Sequence, residues 1–290
     1  MGPIGVFDSG MGGLTVLRAL RERLPVEDFV YFGDTARVPY GTKGARTVRA
    51  FARQDAAFLF GQGVKMIVVA CNTASAFALD YLRGAFPVPV LGVIEPGIAL
   101  ALARTRGGPV GVIGTSGTIR SGRYQEGLAR VIGADRVVAR ECPLLVPLAE
   151  EGWADHPVTA QVAAEYLEPL RAARIDTLIL GCTHYPLLKA TIARVMGPDV
   201  ALVDSAEALA EAAARELEAS GLARPNGKAA AAPAPGEAAG TLRFFLSDIP
   251  WKFAEAGARF LGQPLGEVET VNLDEAELAG RLVRNGKGRS

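Results

Sequence analysis

Short runs of aliphatic residues alternate along the chain with longer segments in which apolar residues recur at helical spacing. Gly, Asp and Asn bound the short runs, and few polar residues interrupt them. Continuous apolar runs of this length are typical of strands that are buried on both faces of a parallel sheet. The pattern therefore predicts an α/β fold with mostly parallel sheets, helices on both faces and right-handed crossovers.

The same pattern predicts where the individual elements lie. Strands are expected at 4–7, 28–32, 65–70, 89–93, 110–114, 136–139, 176–180, 200–203, 242–246 and 268–272. Helices are expected at about 12–24, 44–61, 74–84, 95–105, 118–132, 158–173, 185–195 and 205–219, and a further helix within the last strand-helix-strand unit, 242–273.

Two kinds of strand end occur twice. The strand-turn at 5–10 resembles the one at 111–117, and the apolar run that leads into Cys71 resembles the one that leads into Cys182. The repeats predict two similar Rossmann-like α/β domains that are related by an approximate two-fold axis. Ligands bind at the carboxyl ends of strands in such sheets, so we expect the active site in the cleft between the domains. Turn geometry alone also places Gly, Ser and Thr at strand ends, and that simpler explanation stays open here.

The order of the repeats suggests a discontinuous first domain. It would comprise residues 1–97 and 205–290, and residues 98–204 would form the second domain. Of the twenty residues at 221–240, fifteen are Ala, Pro or Gly, which predicts a mobile surface loop. Residues 285–290 are expected to be a frayed tail.

Composition excludes several classes of protein. Lys+Arg and Asp+Glu both number 31, so no net charge favours nucleic acid or an anionic membrane as a partner. Hydrophobic residues make up 49% of the chain, yet no apolar stretch reaches the roughly 18–20 residues of a membrane span. The first residues do not resemble a signal peptide, so a cytoplasmic enzyme is expected. Three widely separated cysteines do not suggest a disulfide framework.

Cys71 and Cys182 are the strongest chemical candidates. Each follows an apolar strand and precedes polar residues at the start of a predicted helix, where backbone N–H groups and the helix dipole are expected to lower a thiol pKa. Such a thiolate can act as a nucleophile or as a general base. Cys142 has no such context and is expected to be a small buried hydrophobe.

His184 and Asp8 are the candidate proton-transfer partners of the two thiols. His184 lies two residues after Cys182, and Asp8 ends the first strand. His156 lies in a polar loop and carries no such prediction. The Gly-rich turn at 8–13 does not match a nucleotide motif, but its N–H groups suit a carboxylate. Cysteine spacing does not favour zinc, and no lysine motif indicates pyridoxal phosphate.

Together these motifs resemble those of glutamate racemases, in the aspartate/glutamate racemase superfamily, over nearly the full chain. The matching segments are 5–16, 31–35 with 39–41, 70–76 and 181–188. The resemblance implies a cofactor-independent enzyme that interconverts L- and D-glutamate and supplies D-glutamate for peptidoglycan. It implies that Cys71 and Cys182 are the acid/base pair, and that the auxiliary and substrate-binding residues are Asp8, Ser9, Tyr40, Gly41, Asn72, Thr73, Thr183 and His184. A further auxiliary glutamate would be Glu150 or Glu151.

The sequence allows three other interpretations. The aspartate-specific branch usually carries an acidic residue where this chain has His184, which favours glutamate. A hydrolase or lyase with Cys71 as covalent nucleophile would not need Cys182. A two-lobed amino-acid-binding module would explain neither cysteine. The expected partner is small-molecule glutamate, with no cofactor, metal, nucleic acid or membrane, and a homodimer is left open.

Overall fold

The computed structural model describes residues 2–224 and 239–273. Its strands in chain order are β1 (Ile4–Asp8), β2 (Phe29–Gly33), β3 (Met66–Val69), β4 (Val90–Gly92), β5 (Val110–Gly114), β6 (Val137–Glu141), β7 (Thr177–Gly181), β8 (Ala201–Asp204), β9 (Leu242–Leu246) and β10 (Val268–Thr270). Every predicted strand is present, and its ends differ from the prediction by no more than two residues.

The strands form two sheets in which every pairing is parallel. One sheet has the order β10-β9-β2-β1-β3-β4, and the other has the order β6-β5-β7-β8. The order β2-β1-β3-β4 is thus repeated as β6-β5-β7-β8. This repetition confirms the prediction of two similar, mostly parallel α/β units.

The helices are α1 (Leu14–Arg23), α2 (Ala45–Gly61), α3 (Asn72–Ala85), α4 (Ile94–Arg104), α5 (Ser116–Arg120), α6 (Arg123–Ile132), α7 (Leu145–Glu150), α8 (Pro157–Ala172), α9 (Lys189–Met196), α10 (Ser205–Ala219) and α11 (Phe253–Leu261). None of the helices in the described ranges is long and apolar enough to cross a membrane.

Helix prediction was wrong in three places. The single helix expected at 118–132 is two helices, because Gly122 adopts a left-handed conformation with a φ of 73° that stops one helix and starts the next. Helix α7 was not predicted, since six residues are too few to show a helical period. The helix expected at 185–195 begins as a 3₁₀ turn over Tyr185–Leu188, and α9 follows it.

The two sheets share one apolar core. Helix α10 packs against both α1 and α4, and the buried side chains of these three helices join those of β1 and β5 in one cluster. Separate clusters cover the outer faces, under α2 and α3 on one sheet and under α8 and α9 on the other. The strands change sheet between β4 and β5 and again between β8 and β9. The predicted domain boundaries at 97/98 and 204/205 stay a prediction.

The chain on either side of residues 225–238 is fixed to one short turn. Arg224 donates from its backbone N–H to Glu27 Oε1 at 3.0 Å, and its guanidinium pairs with Asp28. Thr241 donates from its backbone N–H to Asp28 Oδ1 at 2.7 Å. This turn precedes β2, at the edge of the sheet opposite the carboxyl ends of the strands. The mobile loop predicted at 221–240 lies largely outside the described residues, as does the tail at 285–290.

The buried ion pair between Lys65 and Glu27 provides a test of this packing. Lys65 Nζ lies 2.5 Å from Glu27 Oε2, and the two side chains are only 5% and 1% exposed. We expect Lys65→Ala to lower the free energy of unfolding by about 3 kcal/mol in a urea titration, because it leaves a buried carboxylate without its main partner. Arg18→Ala, which removes an exposed pair with Glu22, should cost less than about 1 kcal/mol. Equal losses in the two variants would contradict this account.

Candidate active site

The carboxyl ends of the central strands bring together turns from both sheets. Tyr124 in α6 donates a hydrogen bond from its hydroxyl to Asn72 Oδ1 at 2.8 Å. The hydroxyl oxygens of Thr73 and Thr115 lie 3.0 Å apart, and Thr15 donates from its hydroxyl to the Thr183 carbonyl at 2.9 Å. Because Asn72 and Thr73 follow Cys71, and Thr183 follows Cys182, these contacts hold the two cysteine turns at one site.

Cys71 lies at the amino-terminal end of α3, as the sequence predicted. It is 6% exposed, it accepts a hydrogen bond from the Ala74 backbone N–H at 3.4 Å, and its thiol donates to Ser9 Oγ at 3.6 Å. Burial raises the pKa of Cys71 to about 12, and the nearby charges of Asp8 and Cys182 add to this effect. The expected lowering by the helix terminus is therefore wrong for Cys71, because burial outweighs the single N–H donor. Cys71 is a protonated thiol at neutral pH.

Cys182 has a different neighbour. Its sulfur lies 3.8 Å from His184 Nδ1, and His184 Nε2 lies 2.8 Å from Glu150 Oε1. Burial alone would lower the pKa of His184, but the hydrogen bonds to Cys182 and Glu150 outweigh it and raise the pKa to about 10. His184 is thus an imidazolium at neutral pH. The imidazolium places a cationic N–H donor beside the Cys182 sulfur.

The geometry also distinguishes the two candidate glutamates. Glu150 ends α7 and accepts the hydrogen bond from His184. Glu151 instead faces Lys252 at 3.9 Å, with its side chain 63% exposed. Only Glu150 is therefore placed to orient the imidazole. The side chain of Phe260 packs edge-on against the His184 ring, with 5.1 Å between the ring centroids.

Asp8 and Asn72 each present one polar atom without a partner among the described residues. Asp8 is 1% exposed, and its Oδ2 accepts a hydrogen bond from the Gly10 backbone N–H at 3.0 Å, whereas Oδ1 has no partner. Burial raises the pKa of Asp8, although the positive charge of His184 opposes this shift. In Asn72 the amide nitrogen Nδ2 has no partner. A buried acceptor and a buried donor at one site suit a ligand that carries both an ammonium and a carboxylate group.

Glycines let the Gly-rich turn approach the second sheet closely. A Cβ atom on Gly12 would lie 2.2 Å from Thr183 Oγ1 and 2.6 Å from His184 Cε1. A side chain at this position would displace both residues. The turn that the sequence suggested as an anion cradle thus also packs directly against His184. Thr183 is 6% exposed, and its hydroxyl lies 3.4 Å from His184 Nδ1.

Tyr40 and Gly41 hold a turn of the first sheet in place against the second sheet. The Tyr40 side chain is fully buried, and its hydroxyl bonds Asp34 and, at 2.9 Å, Asp55 Oδ2. Burial, followed by the charge of Asp34, raises the pKa of Asp55 well above its ordinary value, and the Arg37 guanidinium at 3.1 Å opposes this shift. A Cβ atom on Gly41 would lie 2.7 Å from Thr115 Cβ, so the turn packs tightly on the second sheet. The hydroxyl of Tyr40 therefore fixes this turn, and a contact of Tyr40 or Gly41 with substrate stays a prediction.

Sequence reasoning missed four residues that hold the site together. They are Thr15, Thr115, Thr118 and Tyr124. The repeat of the first strand-turn at 111–117 already pointed to Thr115 and could have placed it in the site. Tyr124 gives no such signal, because on an amphipathic helix it looks like any core aromatic residue. In the described ranges, no group of three or more His, Cys, Asp or Glu side chains is placed to hold a metal ion.

Two matching parallel α/β units, each with a buried cysteine directly after a strand, bring their polar turns together at the carboxyl ends of the strands, which is where α/β enzymes bind small ligands. The chain belongs to the Asp/Glu/Hydantoin racemase family, whose model matches residues 4–213. It is thus an isomerase of the amino-acid racemase class, which confirms the family inferred from the motifs.

Individual relatives support this membership over nearly the whole chain. The glutamate racemase of Syntrophus aciditrophicus is 53% identical over 93% of this chain and 97% of its own length. The crystal structure of glutamate racemase from Thermus thermophilus in complex with β-chloro-D-alanine is 48% identical, with a TM-score of 0.82, and the match covers 94% of this chain and 98% of that one. The Francisella tularensis enzyme in complex with D-glutamate is 39% identical, with a TM-score of 0.85, and the match covers 94% and 98% of the two chains.

The unequal surroundings of the two thiols predict unequal reactivity. Cys71 and Cys182 are almost equally buried, at 6% and 5% exposed, so a difference in alkylation rate reports the thiolate fraction. We expect iodoacetamide to modify Cys182 faster than Cys71 near neutral pH, as measured by peptide mass spectrometry over time. His184→Asn should slow the modification of Cys182 selectively. Faster modification of Cys71 would contradict the assigned charges.

The His184 pKa also predicts how stability depends on pH. The pKa rises from an ordinary 6.5 to about 10 in the folded protein, so the folded state holds this proton more tightly than the unfolded state. The resulting stabilisation is fully present below pH 6.5 and is lost as the pH rises through about 10. We expect the free energy of unfolding to fall more steeply over this range in the wild type than in His184→Asn. Parallel pH profiles in urea titrations would show that His184 is not the group responsible.

Proposed function

We propose that this chain interconverts L- and D-glutamate, with Cys71 and Cys182 acting from opposite faces of the α-carbon. The observation that carries the proposal is the pairing of a neutral thiol at Cys71 with an imidazolium 3.8 Å from the Cys182 sulfur. The two sulfurs are close enough for the charge of Cys182 to raise the pKa of Cys71. Relatives at 53% and 48% identity are glutamate racemases, which supports glutamate as the substrate.

The unpartnered polar atoms suggest how the substrate is oriented. Asp8 is proposed to bind the α-ammonium group, and the Asn72 amide nitrogen is proposed to bind the α-carboxylate. Further carboxylate donors would come from the Ser9 and Thr183 hydroxyls and from the backbone N–H groups of the cysteine turns. Fixed neutral donors in a water-poor site stabilise the negative charge that spreads from the α-carbon onto the carboxylate.

Proton transfer then requires one acid and one base. The Cys182 thiolate takes the α-proton, and the electron pair of the C–H bond stays on the α-carbon. Cys71 delivers its proton to the opposite face, which inverts the configuration and leaves Cys71 as a thiolate. The reverse reaction begins from that second form, with the roles of the two cysteines exchanged. His184, held by Glu150, keeps its positive charge beside Cys182 and so biases the resting enzyme toward the first form.

This scheme needs no electron sink and no metal, and cofactor independence is part of the proposal. Full activity after prolonged dialysis against a chelator, without pyridoxal absorbance, would support it. Supply of D-glutamate for peptidoglycan, a cytoplasmic location and a homodimer stay predictions. Comparing L-glutamate with L-aspartate as substrates in a polarimetric assay distinguishes glutamate specificity from that of the aspartate branch.

Solvent isotope incorporation tests the two-thiol mechanism. In deuterated water, each glutamate enantiomer should give an opposite enantiomer that carries deuterium at the α-carbon, because the delivered proton comes from an exchangeable thiol. Cys71→Ser and Cys182→Ser should each lower kcat/KM by at least about 10³-fold, since each removes one of the two proton-transfer groups. Cys142→Ala is the matched control and should stay active, because the buried Cys142 thiol donates to the Arg140 carbonyl at 3.7 Å and has no part in the proposed proton transfer.

Two outcomes would contradict the mechanism. One is substantial racemisation by Cys182→Ser, and the other is a product whose α-hydrogen is retained from the substrate. A covalent adduct on Cys71 in the mass spectrum, with activity that survives the loss of Cys182, would indicate the hydrolase or lyase reading instead.

A further inference from the structure

The amide of Asn72 is held by one of its two polar atoms. Its Oδ1 accepts a hydrogen bond from the Tyr124 hydroxyl at 2.8 Å, whereas Nδ2 has no partner among the described residues. Asn72 is 3% exposed and is the first residue of α3, directly after Cys71. An asparagine amide presents a donor on one side and an acceptor on the other, so a bond to Oδ1 determines which of them faces the site.

Tyr124 is itself rigidly placed. It is fully buried, and a Cβ atom on Gly97 would lie 3.4 Å from its hydroxyl oxygen, while one on Gly181 would lie 3.3 Å from its ring. The ring therefore fills a slot between α4 and the end of β7, in contact with the strand that precedes Cys182. Burial raises the pKa of Tyr124 above its ordinary value, which keeps the hydroxyl protonated and able to donate.

We propose that Tyr124 is a positioning residue for racemisation, whose hydroxyl orients the Asn72 amide so that Nδ2 faces the α-carboxylate of the substrate. This inference rests on the proposed function, in which Asn72 binds that carboxylate. In the opposite orientation Oδ1 would face the carboxylate, and two acceptors would repel each other. By donating to Oδ1, Tyr124 thus favours the orientation in which the position beside Cys71 binds an anion.

The same hydrogen bond joins the two α/β units. Asn72 follows β3 of the first sheet, whereas Tyr124 lies in α6 beside the second sheet. Thr73, the next residue, is held in the same way by the hydroxyls of Thr115 and Thr118, at 3.0 and 3.1 Å. The carboxylate-binding side of Cys71 is therefore assembled from both units. The amide has its working orientation only while the units are in contact.

Tyr124→Phe tests this role, because it keeps the ring and removes only the hydroxyl. We expect KM for both glutamate enantiomers to rise about tenfold, the size expected for losing one oriented hydrogen bond to a charged group, with a smaller change in kcat. Tyr166→Phe is the matched control, since its hydroxyl only accepts a 3.4 Å hydrogen bond from the Leu144 backbone N–H. It should leave both constants unchanged.

Two further measurements separate positioning from packing. In an Asn72→Ala background, Tyr124→Phe should cause no additional loss, because its effect passes through the amide; additive losses would overturn the proposal. Competitive inhibition by 4-aminobutyrate, which lacks the α-carboxylate, should be equal in wild type and Tyr124→Phe. Equal weakening of 4-aminobutyrate and glutamate would show a general packing role and overturn the proposal.

Further controls distinguish a misfolded Tyr124→Phe variant, and a failure of the proposed function, from a failure of the proposed role of Tyr124. Urea unfolding midpoints show whether Tyr124→Phe folds. If it does not, 3-fluorotyrosine is placed at position 124, where its more acidic hydroxyl is a stronger donor to Asn72: KM for glutamate should fall, and an unchanged KM would overturn the proposal. A wild type that racemises no glutamate refutes the proposed function. If the wild type racemises glutamate and Tyr124→Phe has the same KM as the wild type, only the role of Tyr124 is refuted.

Discussion

The hydrogen bonds on both sides of the His184 imidazole set the distribution of charge in the whole site. With Glu150 on Nε2 and Cys182 on Nδ1, the buried ring keeps its proton and its orientation. A buried charge is stable only when it is paired, so the imidazolium depends on the Glu150 carboxylate and on the Cys182 sulfur. Gly12 and Phe260 pack against the same ring, and Thr15 ties the adjacent turn to the first sheet. The other features of the site are arranged around this group.

The fold supplies two equivalent positions, and the side chains make them unequal. Each sheet contains the same order of four strands, and in each a cysteine follows the third strand of that order, β3 or β7. Cys71, however, lies near the carboxylate of Asp8, whereas Cys182 lies beside the imidazolium of His184. The Cys71 thiol therefore keeps its proton, whereas the Cys182 sulfur has a cationic hydrogen-bond donor beside it. The proposed mechanism, in which one cysteine removes a proton from one face and the other adds a proton to the opposite face, needs such a difference at the start of each turnover.

Sequence reasoning predicted the parts of this architecture that come from local patterns. The apolar runs predicted every strand, and the paired strand ends predicted two similar sheets with a cysteine in each. The break at Gly122 was missed because apolar spacing continues across it, and a left-handed glycine is visible only in the backbone. The choice between Glu150 and Glu151 could not be made because α7 is short, so its register depends on tertiary contacts.

The charges and protonation states of the site were the features that the sequence predicted least well. A helix terminus predicts a lowered thiol pKa, but the degree of burial, which outweighs it at Cys71, depends on side chains far apart in the chain. The contact between Tyr124 and Asn72 also could not be predicted, because the two residues lie 52 positions apart along the chain. Motifs identified which residues meet at the site. The protonation states of these residues, and the orientation of the amide, required the packed structure.

The most direct test of the account is the protonation state of His184, read from its ring nitrogen and carbon NMR chemical shifts across a pH titration. The chain has only two histidines, so a His156→Gln variant leaves the signal of His184 alone. The account predicts an imidazolium that persists through neutral pH and titrates near 10. A neutral ring at about pH 8, with a midpoint near the ordinary value of 6.5, would contradict it.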